Sequence, residues 1–319
     1  MDWLAAGISG PLIAIRAIHF AATAIVAGTL VFRVAVAKLA LGSERAIARL
    51  SRRQTLAVAR IGLAIAMASG LIWFMLQAAS MSGLSLGEAM TSEVLLTVLN
   101  QTQFGLVSEI RIVLAMILAG CLAYDRLAGA EWFALAAALG LTAAIAWTGH
   151  AGATLGSIGN LHLMADVLHL VAAAAWIGGL MGLALLLVAV RNIRAAAWMP
   201  LARNAVGRFS TLGIVSVITL MITGIVNAWI LVGSFHALVT SGYGRLLMLK
   251  VMVFAVMLVF AAANRFWLTP RLDLSSANEA PLAALRQLTR NSIIEIALGI
   301  TIFAIVGMLG TLHPAIHDL

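Results

Sequence analysis

Residues 161–190 read LHLMADVLHLVAAAAWIGGLMGLALLLVAV. Thirty residues pass with one full charge, at Asp166. A helix rises about 1.5 Å per residue, so roughly 20 such residues cross the hydrocarbon core of a bilayer. The stretch reads as a membrane span that carries two histidines and a carboxylate. His162, Asp166 and His169 fall at i, i+4 and i+7 and share one helical face. Trp176 continues that face. The turn just before, TGHAGATLGSIGN (148–160), adds His150. Ionisable groups inside a membrane are costly and usually line a functional cavity.

The whole chain has the same character. Of its 319 residues 63% are apolar and 10% charged, with a mean hydropathy of +1.06. A soluble domain carries about 25% charged residues. The expected fold is all-α, a polytopic membrane protein with eight transmembrane helices near 11–36, 55–79, 104–124, 131–150, 161–190, 208–232, 244–268 and 291–312. The start, MDWLAAGISG, lacks the basic segment of a cleaved signal peptide, so the first span is expected to stay. Cys121 is the only cysteine, which excludes an internal disulfide and suits a small buried side chain. The net charge of +8 reflects topology rather than a nucleic-acid partner. No ATP-binding motif is present, and a transporter fits better than an enzyme.

Arginines alternate along the loops. Segment 37–54 holds Lys38, Arg45, Arg49, Arg52 and Arg53; 191–208 holds Arg191, Arg194, Arg203 and Arg208; 265–290 holds Arg265, Arg271, Arg286 and Arg290. Segments 80–103, 151–160 and 233–243 hold neither Lys nor Arg. The positive-inside rule then makes the arginine-rich loops cytoplasmic and both termini external. In 80–103, SLGE is a capping-box pattern at Ser85 and Glu88, which predicts a short helix on the outer surface.

Two halves of the chain align. RAIHFAATAIVAG (16–28) runs beside DVLHLVAAAAWIG (166–178), pairing His19 with His169 and Arg16 with Asp166. ASGLIW (68–73) runs beside ITGIVN (222–227), and QTQFGLVSEIR (101–111) beside TSGYGRLLMLK (240–250), pairing Arg111 with Lys250. Four spans per half give a parallel repeat, about 11–150 and 161–313, with an axis along the membrane normal. The chain is otherwise one membrane domain.

Helix rise places His19 and His169 at a common depth, roughly 12 Å below the outer surface. Arg16 and Asp166 lie one turn nearer the outside and are expected to pair. Glu109, Arg111, Asn227 and Lys250 join this outer polar layer. The layer holds Arg16, Arg111 and Lys250 against Glu109 and Asp166, a surplus of positive charge. Neutral imidazoles on two helices can bind copper, zinc or haem iron. Met164 and Met248 could add thioether ligands, which suit Cu(I). The tail LHPAIHDL places His313 and His317 outside as a further capture point.

TGHA (148–151), HLMADVLHLVAAAAWIGGL (162–180), YGRLLMLK (243–250) and a late ANR (263–265) together resemble the copper resistance protein D family, CopD. The resemblance implies an eight-helix bacterial inner-membrane protein that handles copper, usually by bringing it across. It also implies a partner, a small periplasmic copper-binding protein of the CopC type, beside the membrane lipids. His150, His162, Asp166, His169 and Trp176, with His19, are the residues it singles out. The alternative is a membrane redox protein with b-type haem, His19 and His169 being the axial ligands. The early Arg16-x-x-His19 element is similar to haem-binding protoporphyrinogen oxidases.

Overall fold

The computed structural model describes residues 3–41, 45–193, 199–273 and 280–318. All regular structure among them is helical. Eight helices are long and apolar enough to cross a membrane: Gly10–Leu41, Ala46–Ser82, Gln103–Ala123, Ala130–Thr148, Gly156–Arg191, Met199–Val232, Gly242–Leu272 and Pro281–Leu309, here spans one to eight.

The spans outrun the hydropathy pattern at the arginine-rich side. Span two starts at Ala46, span six at Met199 and span eight at Pro281, each about ten residues before the apolar run. These ends are rich in Ala, Leu, Arg and Gln, strong helix formers, so the helix continues where hydrophobicity stops. Ion pairs between Lys38 and Glu131, and between Arg52 and Asp125 (2.7 Å), tie this side together.

On the opposite side the Ser85 amide donates to Glu88 Oε2 (3.1 Å), closing the expected capping box over the short helix Leu86–Ala89. The Ser85 hydroxyl and amide together hold the Glu88 carboxyl below its usual range. A second surface helix, Ser92–Gln101, follows. Span four ends in a 3₁₀ stretch, Ala144–Thr148, and the extended Gly149 then starts the one-turn helix His150–Ala153. That break sets His150 beside the top of span five.

Spans one and five form the centre. Span one packs on spans two, four, five and eight, and span five on spans one, four, six and eight. They cross where two glycines meet. A Cβ on Gly28 would lie 2.6 Å from the Gly178 Cα, and one on Gly178 would lie 2.8 Å from the Gly28 Cα. Only residues without a side chain allow backbones this close, the usual small-residue solution for helix association in lipid. The Thr29 hydroxyl donates across the crossing to the Gly178 carbonyl (3.3 Å).

Candidate functional site

Three histidines inside the bundle share one local construction. His19 Nδ1 meets Ser69 Oγ (3.1 Å), His162 Nδ1 meets Thr154 Oγ1 (2.9 Å) and His169 Nδ1 meets Thr223 Oγ1 (2.9 Å). Each hydroxyl has one proton and gives it to a carbonyl: Ser69 to Ile65 (2.6 Å), Thr154 to His150 (2.9 Å) and Thr223 to Thr219 (2.6 Å). The ring nitrogen must then be the donor. All three imidazoles are held with the proton on Nδ1 and the lone pair on Nε2. A second residue that fixes tautomer and ring direction is what metal-binding histidines require.

What Nε2 meets separates the three. At His19 it accepts from the Arg111 guanidinium, which can only donate. Among the described residues, Nε2 of His162 and of His169 makes no hydrogen bond. Both therefore keep a lone pair for a ligand. Asp166 stands between them on span five, where it accepts from Asn227 Nδ2 (3.2 Å). Lys250 of span seven lies close enough to interact electrostatically with Asp166 and His169, and Tyr243 with Asp166. His150 sits above His162, with its Nε2 near the Leu309 carbonyl (3.4 Å) and its ring edge-on to Tyr243 at 6.0 Å. The neighbourhood joins His150, His162, Asp166, Asn227, Tyr243, Lys250 and His169 along span five.

It is a ladder rather than a cage. Helix rise separates His162 from Asp166 by about 6 Å and Asp166 from His169 by about 4.5 Å along the axis. Among the described residues no three His, Cys, Asp or Glu side chains gather tightly enough to hold one ion.

Several expectations need correction. His19 and His169 do not share a centre: His19 turns toward Ser69 of span two and Arg111 of span three, His169 toward Thr223 of span six and Lys250 of span seven. With the His19 lone pair taken by Arg111, the pair offers no axial set for haem. Arg16 and Asp166 do not pair either. Arg16 donates to the Gly310 carbonyl (2.9 Å) and lies over the Trp73 and Phe20 rings, while Asp166 takes Asn227. Met164 is 63% exposed and Met248 38%, both facing out of the bundle. Each lies two residues from an inward group, about 200° round the helix. Glu109 is exposed for the same reason, two residues from the buried Arg111. Trp176 is buried and packs edge-on against Phe254 (5.8 Å), a core contact rather than part of the polar layer. His313 is exposed; the side chain of His317 lies outside the described residues.

Sequence reasoning missed Ser69, Thr154, Thr223, Tyr243 and Trp73. The signal was present for two of them. Ser69-Gly70 and Thr223-Gly224 occupy matched places in the aligned halves, and each glycine faces a histidine ring. A Cβ on Gly70 would lie 3.1 Å from His19 Cε1, and one on Gly224 would lie 3.6 Å from His169 Cε1.

The family model for copper resistance protein D matches residues 203–309, and that for the copper resistance protein D-like N-terminal domain matches residues 7–160. The chain is 30% identical over 263 residues to Copper resistance protein D of Pseudomonas syringae pv. tomato, covering 81% of this chain and 82% of that protein. It is 33% identical over 215 residues to Inner membrane protein YebZ of Escherichia coli K12, covering 67% and 70%. It is 29% identical over 259 residues to Copper transport protein CutJ of Bacillus subtilis 168, covering 78% of this chain and 45% of that protein.

Proposed function

The chain belongs to the copper resistance protein D family, and from that premise we propose that it carries copper across the bacterial inner membrane along span five. The observation that carries this reading is the pair of Nε2 lone pairs on His162 and His169, fixed by Thr154 and Thr223 with Asp166 between them. Two relatives bear names that refer to copper resistance or copper transport, and another is named an inner-membrane protein.

Copper arrives at the His150 end, external by the positive-inside rule. A periplasmic copper-binding protein of the CopC type is the proposed donor. Copper is the cargo here, not a resident cofactor. His150 and His162 receive it, Asp166 offsets its charge and His169 takes it one level deeper. Imidazole nitrogen suits copper, and a ladder with few ligands at each step lets the ion leave as well as enter. Lys250 opposes a free cation beside Asp166. Its electrostatic interaction with Asp166 offsets part of that repulsion, and the ion passes on the imidazole face. The two halves of the chain are proposed to be related repeats. In each, a histidine of the central span meets a hydroxyl-glycine pair and a basic residue from the third span of that half.

The test is copper accumulation in proteoliposomes containing the purified protein. Copper uptake above empty vesicles is expected, falling at least tenfold in His169→Ala, the size of one lost ligand interaction. Uptake in His169→Ala equal to wild type would reject the route.

A further inference from the structure

We propose that the first half of the molecule holds a binding site for an anionic amphiphile, an acyl chain ended by a carboxylate or phosphate. It lies between spans one, two and three, around Arg111. The cavity there measures about 560 Å³, within the usual range of ligand pockets. Its walls are apolar and include Met67, Leu71 and Ile112. These three are 48%, 59% and 55% exposed on the lipid-facing flank, so the cavity opens sideways into the bilayer.

The polar end holds buried N–H donors that lack an acceptor among the described residues. Arg111 is 8% exposed, and its Nε is buried with no hydrogen-bond partner. Trp73 Nε1 is buried and unpartnered as well, and both side chains line the cavity. Arg111 and Arg16 each lie 5.5 Å from the Trp73 ring centroid, and among the described residues no carboxylate pairs with either. A single Arg in mid-membrane costs about 2.5–3.5 kcal/mol on insertion scales. Two around one indole call for a counter-charge. The cavity lining contains neither Asp nor Glu. His19 cannot supply the charge, since it is neutral when it accepts from Arg111 through Nε2. A ligand headgroup with anionic oxygens would satisfy the orphaned Nε–H and Nε1–H together, and the apolar walls would take its chain. The site is independent of the copper ladder, none of whose residues lines this cavity.

Quenching of tryptophan fluorescence tests this. The intact protein in nanodiscs of neutral phosphatidylcholine is titrated with dibromostearic acid, its methyl ester, or dibromo-phosphatidylglycerol, with Trp73→Phe isolating the Trp73 signal. The acid or the phosphatidylglycerol should quench Trp73 saturably. Apparent affinity should exceed that of the ester roughly tenfold, the size of one charge-assisted hydrogen bond. Whichever is tighter identifies a free fatty acid or a phospholipid. Arg111→Gln should erase the preference. Leu71→Phe, at the lipid-facing mouth, should weaken binding even if Arg111→Gln does not fold, without adding a second indole to the signal. Equal quenching by acid, lipid and ester, or a preference unchanged by Leu71→Phe or Arg111→Gln, would overturn the proposal.

Discussion

At the scale of single residues, one hydroxyl decides what each histidine can do. Thr223 spends its proton on Thr219 and so forces His169 to donate from Nδ1 and expose Nε2. Thr223→Val should let the ring turn and lower copper affinity about 10–100-fold, as loss of a metal-orienting partner does elsewhere. Thr223→Ser should retain wild-type affinity. Competition with a chromophoric copper chelator measures both; a Val variant that binds like wild type would mean the hydroxyl is only a helix contact. The histidines were legible in the sequence because ionisable groups stand out in an oily chain. Their orientation was not. It depends on hydroxyls that look like ordinary apolar-helix residues, and on an arginine that takes one lone pair and spares two. The expected pairing of Arg16 with Asp166 failed for a geometric reason. Under the proposed repeat, equivalent residues meet only on the axis that relates the halves. Gly28 and Gly178 meet; Arg16 instead reaches the Gly310 carbonyl of span eight's end, and Asp166 takes Asn227 of span six.

At the scale of elements, the crossing of spans one and five positions everything else. The ladder descends span five toward this crossing, and His169 lies nine residues before Gly178. Gly178→Ala should force the backbones apart and destabilise the fold by about 1–3 kcal/mol, as overpacking does. Gly120→Ala, where an added Cβ meets nothing within 4 Å, should be neutral or slightly stabilising. Thermal unfolding in detergent compares the two; equal midpoints would show that the crossing tolerates a methyl group. Eight spans were plain from hydropathy, because length and composition alone separate lipid-crossing helices from loops. Their ends were not, since helix propensity carries them past the apolar run. The helix Ser92–Gln101 also escaped notice, being too short and too polar for a hydropathy signal.

At the scale of the whole molecule, function follows from which side His150 faces. In a Cys121→Ala background, Ser157→Cys should react with a membrane-impermeant maleimide added outside intact spheroplasts. Gly207→Cys, on the arginine-rich side, should react only after lysis. The reverse pattern would turn the proposed route around and make it an exit path. The surroundings of His19 and of His169 carry opposite chemistry. Arg16, Arg111 and Trp73 surround His19, whereas Asp166, Asn227 and Lys250 surround the ladder. The proposed copper route therefore runs past the second. X-ray absorption at the copper edge of the copper-loaded protein reads that assignment out directly. Imidazole scattering is expected in wild type, should disappear in the His150→Ala/His162→Ala/His169→Ala triple variant and should persist in His19→Ala. Imidazole scattering that survives the triple variant, or is lost with His19 alone, would contradict the assignment.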